Sequence, residues 1–281
     1  MSIPDYRPYL PAAKRDPAVT ARAHTETRLQ GDRPQGLFGA WRKLFEAPFR
    51  GLTTDGAPQS GLFSLKPEGA PTAAIMEAVA ALMAALTPDQ KAAMHFPVGS
   101  DQWRNWQNTE LYVETHGLRL DEHPMALRDT VMDVVCASLG AKGYEMSRDV
   151  MRLNGFLGEL IGAPLVLGEW SYIFCLFGEP SRDSPWGWQL FGHHLCLNCL
   201  LLGDQMVLTP AFMGAEPSYG DEGCYDGIRL FEDEERGGLS LMRSLDGPQA
   251  DAAIVAHSIM DGDMPEGRRH FADNLHLGGA Y

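Results

Sequence analysis

The hydrophobic and polar positions of this chain follow two different periods, and the change falls near residue 164. Before it, apolar side chains recur every three or four positions, which is the spacing of helices with one buried face. After it, short apolar and aromatic runs are separated by turns such as Gly203-Asp204, which is typical of β-strands. The pattern therefore predicts a helical block that is followed by a sheet.

The helical block is predicted to hold four helices. Thr87 is a favourable N-cap and Pro88 a favourable first residue, so one helix is expected to begin there. Upstream, an arm rich in charge and proline contains one further helical pattern, and helical character returns after residue 230. The predicted helices cover residues 18–29, 72–86, 88 onward, 124–139, 144–161, 231–245 and 248–259.

Four strands are predicted between the helical regions, over residues 169–177, 186–189, 193–202 and 205–209. The joins between them are too short for crossover connections, so the strands are expected to be antiparallel. The sequence thus predicts an α+β fold, with a helical block packed on a mainly antiparallel sheet and helices at the C-terminal end. The predicted organisation is an arm over residues 1–45 and one domain over 46–281. That domain comprises a helical part (72–162), a strand-rich part (166–217) and C-terminal helices (231–259).

The amino-acid composition restricts the classes of partner and the cellular location that we expect for this protein. The net charge of −14 over 281 residues disfavours a nucleic-acid partner or an anionic membrane, both of which need a basic surface. No stretch reaches the length of about 20 apolar residues of a spanning helix. Five cysteines, an odd number, and no apolar signal at the N-terminus make the cytoplasm the expected location. A small molecule is the expected partner, and the oligomeric state stays open.

The residues richest in chemistry lie in the strand-like run 186–217, where His193 and His194 are adjacent. Buried lone pairs are costly unless something bonds them, and neutral imidazole is a common metal ligand. In a regular strand, His194 and Asn198 share one face and His193 lies on the other, unless Gly192 permits a bulge. The alternative is that main-chain groups satisfy both imidazoles and that neither has a function.

These residues predict a metal-dependent enzyme that acts on a small organic substrate. His193 and His194 are the expected ligands of zinc, iron or manganese. Glu216 is expected to complete the ligand set or to act as general base, and Asn198 to offer its amide to the site. Hydrolysis is favoured over oxygen chemistry, because activation of water needs no redox partner. The rival hypotheses are a non-catalytic small-molecule-binding protein and a structural module that has lost activity.

Two further pairs are candidates for substrate binding. Arg148 and Arg152 lie one helical turn apart and are suited to a carboxylate, although an exposed face, or ion pairs with the acidic residues 232–235, is the commoner role of such a pair. Trp186 and Trp188 are placed to wall a cleft, with core packing as the alternative.

The pair Cys196 and Cys199 has the Cys-x-x-Cys spacing, but it lies in an apolar strand with no second pair, which favours core packing over zinc or redox chemistry.

The whole pattern resembles one family, the domain of unknown function DUF3500. The resemblance spans about Phe49 to Leu245, and the Gly-His-His-Leu run is its most specific part. It rests on PFRGLTTDG (48–56), LTPDQ with WRNW (86–106), HGLRL (116–120), RDVMRLN (148–154), GEWSYIFCLFG (168–178), SPWGWQLFGHHLCLNCLLLGDQMVLTPAFMGAEP (184–217) and FEDEERGGLSLMRSL (231–245).

The resemblance implies that His193, His194 and Asn198 belong to the family signature, and it implies no reaction. It also implies a further sheet-forming segment with a second His-x-His motif, which this chain lacks. If that motif supplies metal ligands in the family, the site of this chain is expected to be incomplete, truncated, or completed by His270 and His276 near the C-terminus.

Overall fold

The structure is a computed structural model, and it describes residues 5–11, 14–46, 48, 57, 59–61 and 64–254. The chain divides into two compact units. The first joins Met1–Thr27 to Ser64–Leu230, and the second joins Arg28–Phe63 to Phe231–Tyr281.

Most of the helices in the described ranges correspond to predicted ones. They are α1 (Ala21–Arg28), α2 (Asp32–Glu46), α3 (Thr72–Ala85), α4 (Pro88–Met94), α5 (Met125–Ser138), α6 (Ala141–Ile161), α7 (Glu232–Ser244) and α8 (Gly247–Ala253). Residues 255–259, at the end of the last predicted helix, lie outside the described part of the chain. None of the described helices combines the length and apolar content that a membrane crossing requires.

The apolar stripes of the helical block are the buried faces of these helices. On α3, Ile75, Val79 and Leu82 are fully buried, as the three-to-four spacing predicts. Thr87 caps α4 through a capping box with Gln90, in which each residue bonds the main-chain nitrogen of the other.

In the described part of the chain the sheet has six strands, β1 (His95–Phe96), β2 (Leu118–Arg119), β3 (Tyr172–Phe177), β4 (Trp186–Gly192), β5 (Leu195–Leu202) and β6 (Gln205–Met213). Its order is β1-β3-β4-β5-β6, and β2 also pairs with β3. All pairs are antiparallel except β1 with β3, so the predicted α+β class with a mainly antiparallel sheet is confirmed. The two shortest strands, β1 and β2, have no signal in the hydrophobic pattern and were not predicted.

The centre of the sheet is sealed on both sides. Every residue of β3 and β4 is buried, so both faces of these strands are covered. This explains why they read as continuous apolar runs rather than as alternating ones. Beyond β5 the protection ends, since most of β6 is at least partly exposed. The hairpin formed by β4 and β5 therefore lies with its body in the core, and its turn carries the two histidines.

Candidate metal centre

The two histidines form the turn between β4 and β5. Gly192, the last residue of β4, pairs with Leu195, the first residue of β5, and His193 and His194 connect them. The prediction that the strand begins at His193 is wrong, because the backbone of His194 is left-handed with φ of 61° and leaves the strand. Alternation along a strand therefore does not separate the two imidazoles, and their ring centroids lie 3.9 Å apart.

Gly192 does not supply the bulge that we considered. The β4–β5 pairing has no register shift, and the shift lies further along, between Leu197 and Cys199, in the pairing of β5 with β6. Gly192 is required for packing instead: a Cβ atom there would lie 2.6 Å from the Tyr172 ring. The Tyr172 hydroxyl in turn donates to the His193 carbonyl at 2.8 Å, so the close approach holds the turn against β3.

Main-chain bonds fix His194 on its two sides. Its N–H donates to the Asn108 carbonyl at 3.2 Å, and its carbonyl accepts from the Gly214 N–H at 2.8 Å. Gly214 follows directly after β6, and a Cβ there would lie 3.3 Å from Nδ1 of His194. These bonds pin the turn to the segment that leads to Glu216.

Glu216 completes a group of three side chains that could hold a metal ion. One ligand atom from each of His193, His194 and Glu216 lies within 4.8 Å of the other two. His194 Nε2 and Glu216 Oε2 are 3.4 Å apart. Two ligands bound to zinc at 2.0–2.1 Å and at the tetrahedral angle are about 3.4 Å apart, so this pair already has a suitable separation.

Asn154, on α6, determines which nitrogen of His193 can bind a metal. Its Nδ2 donates to the Gly168 carbonyl at 2.8 Å, so its Oδ1 faces Nδ1 of His193, also at 2.8 Å. An amide oxygen accepts only, and Nδ1 must therefore carry the proton. The lone pair is then on Nε2, which is the arrangement that metal-bound histidines show when an outer partner orients them.

The electrostatics keep both groups in their metal-binding forms. Burial, with a smaller contribution from the neighbouring His194, lowers the pKa of His193 from 6.5 to about 3, so this imidazole is neutral at pH 7. The hydrogen bond from His194 lowers the pKa of Glu216, which keeps its carboxylate ionised. Neutral imidazole and ionised carboxylate are the forms that bind divalent ions.

Residues 68–278 match the family described as "Protein of unknown function (DUF3500)". This match covers most of the chain and includes the whole candidate centre. The chain belongs to the DUF3500 family. No curated protein and no solved structure matches it. The family assignment confirms the sequence resemblance, and it brings no reaction with it.

The structure places the other signature residue of the DUF3500 run, Asn198, in the sheet. Its Oδ1 accepts from Nε2 of Gln189 at 2.6 Å, and its Nδ2 donates to the Pro210 carbonyl at 2.8 Å. Asn198 is 4% exposed and lies at the bulge of β5. Because its amide is used in strand pairing, we do not include it in the proposed centre.

Trp186 and Trp188 are both fully buried. The Trp186 indole donates to the Ser181 carbonyl and the Trp188 indole to the Ser138 hydroxyl. They lie on β4, with Trp186 at the end opposite the histidine turn, and pack in the core. Neither is included in the proposed centre.

The two arginines proposed for a carboxylate substrate have carboxylate partners of their own. Arg148 pairs with Glu169 and stacks on Trp170, with 4.3 Å from its guanidinium carbon to the ring centroid. Arg152 is half-exposed and pairs with Asp149 at 3.1 Å.

Cys196 and Cys199 are fully buried, and burial raises the pKa of each thiol to about 12. A thiol with such a pKa is protonated and unreactive at neutral pH in the metal-free protein. His270 and His276, the other candidate ligands, lie outside the described residues.

Sequence reasoning missed the roles of Asn154 and Tyr172. Asn154 lies on the buried face of α6 beside Leu153. A polar amide on an apolar helix face is the signal that could have marked it, because such an amide needs partners. Nothing in the linear pattern says that its partner is His193, which is 39 residues away.

Proposed function

We propose that this protein binds one divalent transition-metal ion through His193, His194 and Glu216 and is a metal-dependent hydrolase of a small organic substrate. The observation that carries the proposal is the tautomer of His193, whose Nδ1–H donates to Asn154 and whose Nε2 therefore keeps its lone pair for a metal ion beside His194 and Glu216.

The chemistry of the three groups suits this role. Two imidazoles and one carboxylate are the donor set of one class of catalytic zinc sites, which leave a fourth position open. A metal ion held here would supply Lewis-acid activation of water or of a substrate oxygen. Zinc, iron and manganese all accept these donors, and the same set occurs in iron oxygenases. We favour hydrolysis because it requires no redox partner.

The charge of Glu216 favours one of its two predicted roles. A general base works best with a pKa near the operating pH, whereas the hydrogen bond from His194 lowers the pKa of Glu216 below its ordinary value. A carboxylate that is a weaker base is better suited to binding a cation. We therefore assign Glu216 as the third ligand, which leaves proton transfer to a group of the substrate or to solvent.

The expected location is the cytoplasm, and the state of the thiols supports this expectation. The five cysteines, all within the described ranges, form no disulfide.

Metal analysis tests the proposal. Protein purified without a histidine tag and dialysed against zinc, iron(II) or manganese should retain about one equivalent of at least one metal. His194→Ala should retain less than about one tenth. His95→Ala is the matched control, since His95 lies on β1 and bonds the Gly178 carbonyl. It should retain as much metal as the wild type.

Activity separates the two reactions. The zinc-loaded protein should hydrolyse at least one member of a panel of esters, lactones and amides, and chelation should abolish the turnover. Oxygen consumption by the iron(II) form, without hydrolysis by any form, would replace the hydrolase with an oxygenase. Less than one tenth of an equivalent of every metal in the wild type would overturn the centre itself.

A further inference from the structure

The compact unit that contains the candidate metal centre also has a cavity of about 480 Å³. This cavity lies between the start of α1 and the two loops around residues 121 and 168. Three arginine and three carboxylate side chains line it, although the protein as a whole has a net charge of −14. The residues on which its charge depends are Arg22, Arg119, Arg128, Asp121, Glu122 and Glu169. We call this cavity the arginine groove.

Each carboxylate of the arginine groove has its own arginine. Asp121 is held by Arg119 through two bonds of 2.8 Å. Glu122 faces Arg22 at 3.5 Å, and Glu169 pairs with Arg148 of α6. Once these three pairs are formed, the negative charge of the groove is fully matched.

Arg128 is the cation that remains. It makes hydrogen bonds to two main-chain carbonyls, with Nε donating to His123 at 2.8 Å and Nη2 to Asp121 at 3.2 Å. Within the part of the chain that the structure describes, no carboxylate lies within 4 Å of its guanidinium. These two bonds leave other N–H donors of a planar guanidinium for an oxyanion.

Aromatic rings hold the guanidinium groups in position. The Trp170 ring lies 5.4 Å from the Arg128 guanidinium carbon and 4.3 Å from that of Arg148. The Tyr112 ring is related in the same way to Arg22, at 4.6 Å, and to Arg119, at 4.3 Å. Stacked arginines lose less conformational freedom when an anion binds, so the groove is preorganised for one.

The arginine groove is also a neighbour of the candidate metal centre. Gly168 lines the groove, and its carbonyl accepts from the Asn154 amide that orients His193. A smaller cavity of about 20 Å³, room for about one water, is lined by His193, Tyr112 and Arg119. The last two residues line the groove as well. The groove is thus connected to His193 in two ways, through the Asn154 side chain and through the small cavity.

We propose that the arginine groove binds the carboxylate or phosphate group of a small organic ligand, with Arg128 as the residue that pairs with it. This replaces the carboxylate site that the sequence predicted at Arg148 and Arg152. The binding step needs no metal. The extension that this ligand is the substrate, so that the enzyme acts on organic acids or phosphate esters, rests on the proposed function.

Calorimetric titration of the metal-free, chelator-treated protein tests binding by itself. The probes are benzoate, succinate and inorganic phosphate, and benzamide is the uncharged match of benzoate. We expect saturable binding of at least one anion and binding of benzamide that is at least about tenfold weaker. Tighter binding of the carboxylates would identify an organic acid as the ligand, and tighter binding of phosphate would identify a phosphate ester.

Variants locate the binding. Arg128→Gln should lower the affinity for the preferred anion about tenfold, which is the size expected for the loss of a charge-assisted hydrogen bond. Arg236→Gln removes the same charge from a highly exposed arginine of α7 and should leave the affinity within about twofold. If Arg128→Gln does not fold, Arg128→Lys keeps the charge without the planar fork and should weaken binding at least about threefold.

Two results would overturn the proposal. One is a folded metal-free wild type that binds none of the three anions at millimolar concentration. The other is an Arg128 variant whose affinity equals that of the wild type. A protein that binds the anions but no metal would support the groove and contradict the hydrolase, so the two proposals fail separately.

Discussion

The turn and the body of the β4–β5 hairpin contain similar residue types, yet the structure uses them in opposite ways. The body carries Cys196 and Cys199, and the turn carries His193 and His194. The thiols are sealed in the core, where burial raises the pKa of each to about 12. The imidazoles lie at the edge of the sealed region, with Glu216 beside them.

The difference teaches that ligand groups need convergence as well as the right chemistry. Successive residues of a strand point to opposite faces, and a tightly packed sheet fills the space around both. The left-handed backbone of His194 brings two successive side chains together instead. Two potential ligands at a turn on the edge of a core can therefore converge on one metal ion, whereas two potential ligands within a buried strand pack into the core.

The largest expected effect is on the free energy of unfolding, which a substitution in the body of the hairpin should lower much more than a substitution in its turn. Trp188→Ala removes a fully buried indole and its bond to Ser138, and should lower the free energy of unfolding by about 3–5 kcal/mol. His194→Ala should cost less than about 1 kcal/mol in the metal-free protein, because its side chain is partly exposed. Urea unfolding of both variants measures this. Equal losses would contradict the distinction between body and turn.

The comparison also explains how far the sequence could predict this molecule. Period and capping predicted most of the helices and the longer strands, because each depends on residues close together in the chain. The start of β5 at Leu195 was missed because two polar residues in an apolar run look the same in a strand and in a tight turn. Only the left-handed φ of His194 distinguishes them.

The candidate centre was predictable in its ligands but not in their support. Adjacent histidines and a nearby glutamate are visible in the sequence, whereas the contact of Asn154 with His193 depends on how α6 packs. The arginine groove was invisible for the same reason. Its charge balance depends on pairings such as Arg148 with Glu169, which lie 21 residues apart.

A second test concerns Asn154, the residue that positions the His193 imidazole in the turn. Asn154→Leu removes the group that fixes the tautomer of His193 and should weaken zinc binding about 10–100-fold. Asn154→Asp keeps an oxygen acceptor for Nδ1–H and should retain affinity within about tenfold. Competition with a fluorescent zinc chelator measures both constants. Equal weakening in the two variants would mean that Asn154 acts by packing rather than by orienting the imidazole.

The pH dependence of stability tests the burial of His193. Its folded pKa is about 3, below its unfolded value near 6.5, so between these values the unfolded chain binds a proton that the native protein does not. The metal-free protein should therefore lose stability as the pH falls below about 6.5, by at most ~1.4 kcal/mol per pH unit from this residue.

His193→Gln provides the comparison for that pH dependence, since glutamine does not titrate. The difference in unfolding free energy between wild type and variant should shrink steadily from pH 7 to pH 4.5. Asp221 has a lowered pKa and also loses stabilisation in acid, but wild type and variant share that loss because its partners are Arg7 and Tyr6. Glu216 loses stabilisation in acid as well, and His193 is the smallest of the causes that lower its pKa, after the hydrogen bond and the charge of His194. A difference that stays constant with pH would show that the His193 imidazole is open to protonation in the native state.

The smallest expected effect is the difference in stability between a glycine and an alanine variant, which should have opposite signs in the turn and in the strand. At His194, with φ of 61°, glycine adopts the backbone freely and alanine does not, so His194→Gly should be more stable than His194→Ala by about 1 kcal/mol. At Cys199, in the extended β5, the order should reverse, with Cys199→Ala the more stable by about 0.5–1 kcal/mol. Urea unfolding of the four variants gives both differences. The same order at both positions would mean that residue 194 continues the strand, and two successive side chains of a strand would not converge on one metal ion.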